Sequence, residues 1–277
     1  MSCATHTVDV KSFDFISRFV REKSAIVLDL HKAYLVESRL APLLNKFELG
    51  SIEALVRELQ KPTSGELSRE VIEAMTTNET SFFRDLHPFN ALKDQVLPPL
   101  IERRSGQRQL RIWSNACSSG QEPYSIAMLM RESFPALDRW QVEILGTDIC
   151  SQMLQRCREG TFNQTEVNRG LPMQMLMKYF SRRGTQWVAD RALGDCLQFR
   201  LLNLIEPWPV LPKMDIVFLR NVLIYFEAET KRQILDKIYR TMHADGYLFL
   251  GGAETLMNIS KSFRRERIGQ ATCYRPI

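Results

Sequence analysis

After Pro98-Pro99 the chain alternates short apolar runs with amphipathic stretches: LRIWSN, a helical stretch near 121–134, WQVEILGTD, and another helical stretch near 151–158. Two later runs, MDIVFLRN and GYLFLGG, flank the amphipathic TKRQILDKIYRTM. A strand that reads as a near-continuous apolar run is buried on both faces, and helices between successive strands supply the cover. The pattern predicts an α/β architecture with a doubly wound parallel sheet, in which ligands bind beyond the carboxyl ends of the strands. The closing ATCYRP is short enough to be an added edge strand.

Residues from about 160 to 197 break the alternation with a short helix and a hairpin whose turn lies near SRRGTQ. A compact insertion between the second and third parallel strands accounts for this better than a long structureless loop. Ahead of the sheet, Phe13, Ile16, Phe19 and Val20 recur at helical spacing. The same period runs through LDLHKAYLVESRL and, in a third stretch, through Leu40, Leu43, Leu44 and Phe47. Ser51 is placed to cap a helix that turns Ala54, Leu55 and Leu59 inward, and ELSREVIEAMTT follows the turn PTSG. Residues 1–80 are therefore expected to form a helical domain and 81–277 a sheet domain, with a β-subdomain inserted at about 160–197.

No run of about eighteen apolar residues is present, so no membrane insertion is expected. The start, MSCATHTVDV, lacks a basic stretch followed by an apolar one, and the cytoplasm is the expected location. Six cysteines, at 3, 117, 150, 157, 196 and 273, show no C-x-x-C spacing, and there are only four histidines. They read as buried or half-buried thiols, and no metal is expected. His31, His87 and His243 read as structural or surface residues and His6 as tail. Residues 1–85 carry eleven Lys and Arg against thirteen Asp and Glu, whereas 86–277 carry twenty-six against nineteen. That basic balance suits nucleic acid, an acidic protein or an anionic cofactor, and the choice falls to the site.

The first parallel strand ends in ACSSGQEPYS and runs directly into a helix. Gly120 lets the backbone approach a ligand, but one glycine does not make G-x-G-x-x-G, so a pyrophosphate would be poorly held. A cofactor without phosphate, with a positive group for Glu122, fits more naturally. Asp148 ends the second strand, where an acid either accepts both ribose hydroxyls or caps the next helix. Asn203 and Leu204 follow the third strand, an amide for polar contact and an apolar side chain able to cover a base. Arg220 and Asn221 end the fourth, with Tyr225 just beyond. The segment TTNETSFFRD, carrying Asn78, Thr80 and Arg84 around Phe82-Phe83, either packs the domains together or folds over a cofactor.

Together TTNETSFFRD, WSNACSSGQEPYSIAM, LGTDI, LLNL, FLRNVLIYF and GYLFLGGAE closely resemble, in order, the motifs of the chemotaxis receptor methyltransferases. The resemblance runs from the helical region almost to the C-terminus. It implies a Rossmann-like S-adenosylmethionine-dependent methyltransferase domain with a small inserted β-subdomain, preceded by an all-α domain. It implies a cofactor pocket made by Asn78, Thr80, Arg84, Glu122, Asp148, Asn203, Leu204, Arg220 and Asn221. Glu122 would meet the methionine portion, Asp148 the ribose, and Asn203-Leu204 the adenine. Arg84 and Tyr225 would stand near the reacting carboxylate.

The implied partners are cytoplasmic domains of membrane-bound chemoreceptors, and the implied product is S-adenosylhomocysteine beside a glutamate methyl ester. Asn115, Ser119 and Gln121 depart from the more usual WSAACSTGEEPYS, while Glu122 is kept. The hairpin segment KYFSRRGTQWVADRAL is shorter than in members that grip a tethered receptor peptide, so no tether is expected to be required. Nucleic acid is disfavoured because the basic residues are scattered without a stacking surface. A monomer is compatible with the sequence.

Overall fold

The computed structural model describes residues 8–277, which leaves Cys3 and His6 outside the described residues. The chain forms two compact units, one ending at Thr77 and including Tyr225–Glu227, the other comprising Asn78–Ile224 and Ala228–Ile277.

The helical unit contains helices Val10–Ser24, Ala33–Lys46, Ile52–Leu59 and Gly65–Met75. Asp9 begins the first by accepting the amide hydrogens of Lys11 and Ser12, and Ala25 ends it in the left-handed region. Ser51 caps the third, its hydroxyl accepting from the Ala54 amide at 3.2 Å. Phe13, Ile16, Val20, Leu40, Leu44, Leu55 and Val71 make a common core. The two stretches expected across LDLHKAYLVESRL and Leu40–Phe47 are one helix, Ala33–Lys46. Its buried face of Val36, Leu40, Leu43 and Leu44 runs unbroken past Pro42, and that burial offsets the hydrogen bond the proline lacks.

The sheet unit holds β1 (Gln109–Asn115), β2 (Gln141–Asp148), β3 (Thr161–Asn163), β4 (Phe180–Arg183), β5 (Gln186–Ala189), β6 (Leu197–Leu201), β7 (Met214–Leu219), β8 (Met242–Leu250), β9 (Phe263–Ile268) and β10 (Ala271–Pro276). The main sheet has the order β6-β2-β1-β7-β8-β10-β9. Its first five strands are parallel, with Ile112 opposite both Ile144 and Ile216. The chain leaves β1 toward β2 and β6 on one side and returns to β7 and β8 on the other. The reversal at β1 opens a crevice beyond the strand ends. Pro98-Pro99 opens helix Leu97–Arg104, which continues directly from helix His87–Ala91 through a π-helical turn at Leu92–Val96, a local widening of the kind that accommodates residues without an amide hydrogen.

The closing ATCYRP is not the edge strand. As β10 it lies between β8 and β9, with Cys273 and Tyr274 buried opposite Phe249 and Leu248. The edge falls to β9, whose Arg264, Arg265 and Arg267 are exposed. A row of charges suits an unpaired strand better than an apolar one does.

The insertion between β2 and β6 is a three-stranded antiparallel sheet of order β3-β5-β4. Gly184, at φ +60°, sits in the tight turn from β4 to β5. The insertion shares the core of the unit: Phe82 meets Phe162 and Phe180 edge-on at 5.0 and 5.8 Å, and Phe162 meets Tyr124 at 5.5 Å. Cys117, Cys150, Cys157 and Cys273 are buried and Cys196 is half-buried, all as free thiols. Burial pushes the Cys273 thiol up to about 12 and the Cys196 thiol up to about 11, which keeps both protonated and unreactive. His31 and His87 are exposed and His243 half-buried. Among the described residues, no helix is long and apolar enough to cross a membrane.

Candidate functional site at the strand ends

β1 passes into helix Gln121–Ser133 through a loop in which Ala116, Ser118 and Gly120 all have positive φ, +49°, +51° and +98°. Left-handed backbone at non-glycine residues costs energy and persists only where surrounding bonds impose it. Here the Cys117 amide donates to the Thr147 carbonyl at 3.0 Å, and the Ser118 amide donates to Asp148 Oδ2 at 2.8 Å. The Ser118 hydroxyl donates to the Asn78 carbonyl at 2.7 Å. At Gly120 a Cβ would stand 3.1 Å from Cys157 Sγ, so glycine serves both the conformation and the space.

Asp148 also accepts the Cys150 amide, at 2.9 Å through Oδ1. The next helix begins at Ser151, with Cys150 in its N-cap position and Asp148 just ahead of it. The aspartate ties the tip of β2 to the β1 loop.

Glu122 stands in the first turn of helix Gln121–Ser133, where the helix dipole favours an acid. Its Oε1 accepts the Ser114 hydroxyl at 2.8 Å, and its Oε2 pairs with Arg220 Nη1 at 2.8 Å. Arg220 Nη2 donates to the Arg84 carbonyl at 2.7 Å and to Asp85 at 2.8 Å, and its guanidinium lies over the Phe89 ring. The sequence leaves Glu122 a lone carboxylate facing a cofactor; in the structure it belongs to a cluster in which the buried Arg220 guanidinium is shared between Glu122 and the half-exposed Asp85. Ser114 and Asp85 are members that sequence reasoning missed, as it missed the Ser118 link between Asp148 and Asn78. A hydroxyl inside the apolar run LRIWSN was the available signal for Ser114, since a buried polar group in such a run needs a partner.

Asn221 follows at φ +58°, its amide donating to Glu254 Oε2 at 2.7 Å. The Gly251 amide shares that oxygen at 2.7 Å, and a Cβ on Gly251 would fall 2.6 Å from Asn221 Nδ2. At the end of β6, Asn203 Oδ1 accepts the Ile205 amide at 3.2 Å and its Nδ2 donates to Glu206 at 3.1 Å. Leu204 is buried, and its carbonyl accepts from Lys237 Nζ at 2.5 Å. Burial lowers the pKa of Lys237, whose ammonium also lies 4.7 Å from the Trp208 ring centroid.

Asn78, Thr80 and Arg84 are half-buried, and Arg84 Nη1 donates to the Glu79 carbonyl at 3.0 Å. Phe83, Asp85 and Leu86 have φ of +48°, +65° and +41°, and the Phe83 amide is held by the Ser125 hydroxyl at 2.9 Å. The structure thus links the Asn78–Asp85 segment to the ends of β1, β2 and β7. The Leu202 amide, donating to the Asp148 carbonyl at 2.9 Å, adds the end of β6. Tyr225 closes the short turn Leu223–Tyr225 and groups with the helical unit.

Two buried polar atoms at these strand ends, Arg220 Nε and Asn115 Oδ1, have no partner within the protein. A donor and an acceptor left open at these strand ends fit a ligand that carries polar groups of both kinds. Among the described residues, no group of three or more His, Cys, Asp or Glu is arranged to hold a metal ion.

Residues 78–271 match the family model described as CheR methyltransferase, SAM binding domain, and residues 11–76 match CheR methyltransferase, all-alpha domain. The chain is 42% identical to chemotaxis protein methyltransferase 1 of Pseudomonas aeruginosa, over 95% of this chain and 97% of that protein. It is 40% identical to chemotaxis protein methyltransferase Cher2 of Pseudomonas putida, covering 95% and 96% of the two chains. Identity to a chemotaxis protein methyltransferase of Vibrio parahaemolyticus is 38%, over 97% of this chain and 98% of that one. With its helical region, its sheet region and its strand-end motifs all accounted for, the chain belongs to the CheR methyltransferase family.

Proposed function

We propose that this protein transfers the methyl group of S-adenosylmethionine to glutamate side chains in the cytoplasmic signalling domains of chemoreceptors. The products are glutamate methyl esters and S-adenosylhomocysteine, and the setting is chemotactic adaptation. The observation that carries this reading is the near full-length likeness to chemotaxis protein methyltransferases, in a chain whose strand ends assemble Asp148, Glu122 and Arg220.

S-adenosylmethionine, when bound, supplies an electrophilic methyl group on a positively charged sulfur, which an ionised glutamate carboxylate accepts without a general base. The residues present suit it. Asp148 offers acceptor oxygens for the ribose hydroxyls, and Asn203 and Leu204 offer an amide and an apolar cover for the base. Glu122 would meet the ammonium of the methionine portion; Arg220, shared with Asp85, and the Ser114 hydroxyl hold the carboxylate in place before the ligand arrives. Asn78, Thr80, Arg220 and Asn221 complete the pocket.

Arg84 and Tyr225 orient the incoming carboxylate. Neither needs to change protonation state, so their contribution is position, the main requirement for an in-line transfer. Arg84 must attract the carboxylate without neutralising it, because a fully paired carboxylate is a poorer nucleophile. Its bond to the Glu79 carbonyl leaves the guanidinium its charge. The protein works from the cytoplasm on membrane-bound receptor arrays and does not require a C-terminal receptor tether.

The test is incubation with labelled S-adenosylmethionine and purified receptor cytoplasmic fragments, with and without their C-terminal tails, followed by mapping of base-labile methyl esters. Label on glutamate in both fragments is expected. Label confined to added RNA, or absent from every protein acceptor, overturns the reading.

A further inference from the structure

The segment that carries Asn78, Thr80 and Arg84 touches the inserted β-subdomain at three places. Its Phe82 ring packs between Phe162 of β3 and Phe180 of β4. Its Phe82 carbonyl lies against Gly170, at φ +88°, so closely that a Cβ there would stand 2.1 Å from the oxygen. Its Glu79 carboxylate pairs with Arg169 at 2.5 Å. Glu79 also accepts the Arg84 guanidinium at its own carbonyl. Arg169, and more distantly Arg84, hold the Glu79 carboxyl below its ordinary range.

We infer that Glu79, Arg169 and Gly170 are positioning residues that let the inserted subdomain set the placement of Arg84. The inference rests on the role given to Arg84 above. Arg169 and Glu79 are 57% and 58% exposed, and a pair so exposed contributes little to stability. Its effect lies in direction: it fixes the residue whose carbonyl holds the arginine. The missing side chain of Gly170 is what lets the Phe82 carbonyl, two residues before Arg84, lie this close. A ligand or partner that shifts residues 169–170 therefore moves the carboxylate-handling arginine through the segment that also carries Asn78 and Thr80.

The test uses the full chain with Gly170→Ala, Arg169→Glu and the exchange Arg169→Glu with Glu79→Arg, which keeps the residue-79 carbonyl. Amide hydrogen exchange across 79–84 is measured beside kcat/KM for a receptor cytoplasmic fragment and thermal melting. Arg169→Glu is expected to speed exchange in 79–84 and lower kcat/KM by about threefold at unchanged melting temperature, and the exchange of charges is expected to restore both. Gly170→Ala, which forces a backbone shift, is expected to lower kcat/KM by about tenfold or more. Wild-type exchange and kinetics in Arg169→Glu, or failure of the charge exchange to restore them, overturns the inference. If Gly170→Ala does not fold, the charge pair alone decides. Absence of methyl transfer by the wild-type protein overturns the proposed function, while hydrogen exchange still tests the positioning.

Discussion

Arg220 Nη1 lies 2.8 Å from Glu122 Oε2, with the arginine side chain 2% and the glutamate side chain 12% exposed. The two groups pair in a place that water scarcely reaches, and the same guanidinium also meets Asp85. Removing one partner of such a pair is far more damaging than removing both. Arg220→Met is expected to destabilise the sheet unit by about 3 kcal/mol or more. Glu122→Gln, which keeps hydrogen-bonding atoms in place, should cost roughly half as much. Urea unfolding followed by tryptophan fluorescence checks both; equal effects would mean that hydrogen bonding and not charge holds the cluster.

Asp148 joins two loops before any ligand arrives. Asp148→Asn preserves its size but places an amide group opposite one of two backbone amide hydrogens, so stability should fall by about 1 to 2 kcal/mol. Affinity for S-adenosylhomocysteine, measured by calorimetry, should fall by about tenfold or more, since a group accepting hydroxyls is lost as well. Unaltered affinity would remove Asp148 from the ribose assignment.

Tyr225→Phe separates turnover from binding. It should lower kcat by roughly fivefold, the worth of one neutral hydrogen bond, and leave cofactor affinity unchanged. Weakened cofactor binding with normal turnover at saturation would reassign the residue.

Asp245 supplies a pH-dependent contribution far from the strand ends. Its bonds to Arg104, together with the charge of Arg103, hold its carboxyl below the ordinary 3.8. A depressed folded-state value means stabilisation that is present above about pH 4 and is lost as pH falls through the folded value. Asp245→Asn should therefore be less stable than the wild type at neutral pH, with the difference shrinking below pH 3.8 in acid titrations followed by circular dichroism.

The parallel strands and their tips were legible because their signals are local. LRIWSN and VEILGTD are apolar runs that end in small or acidic residues, and a short window contains both facts. β3 was not legible, since three residues are too few for any period to show. The edge position of β9 was hidden by its own charges, which suppress the apolar signal of a strand. The Glu122–Arg220–Asp85 cluster joins residues 98 and 135 positions apart, a relation that only the sheet topology creates. The resemblance named Glu122 and Arg220 separately; their pairing is a property of the folded chain. Asn203 shows the opposite case, where local geometry accounts for two of its bonds, to Ile205 and Glu206.

The β9–β10 hairpin leaves Arg264, Arg265 and Arg267 along the free margin of a seven-stranded sheet. Two copies meeting margin to margin would bring like charges within a few ångströms of one another, and the repulsion would oppose zippering of the strands. The charged margin is in this way a built-in safeguard against the protein precipitating with itself.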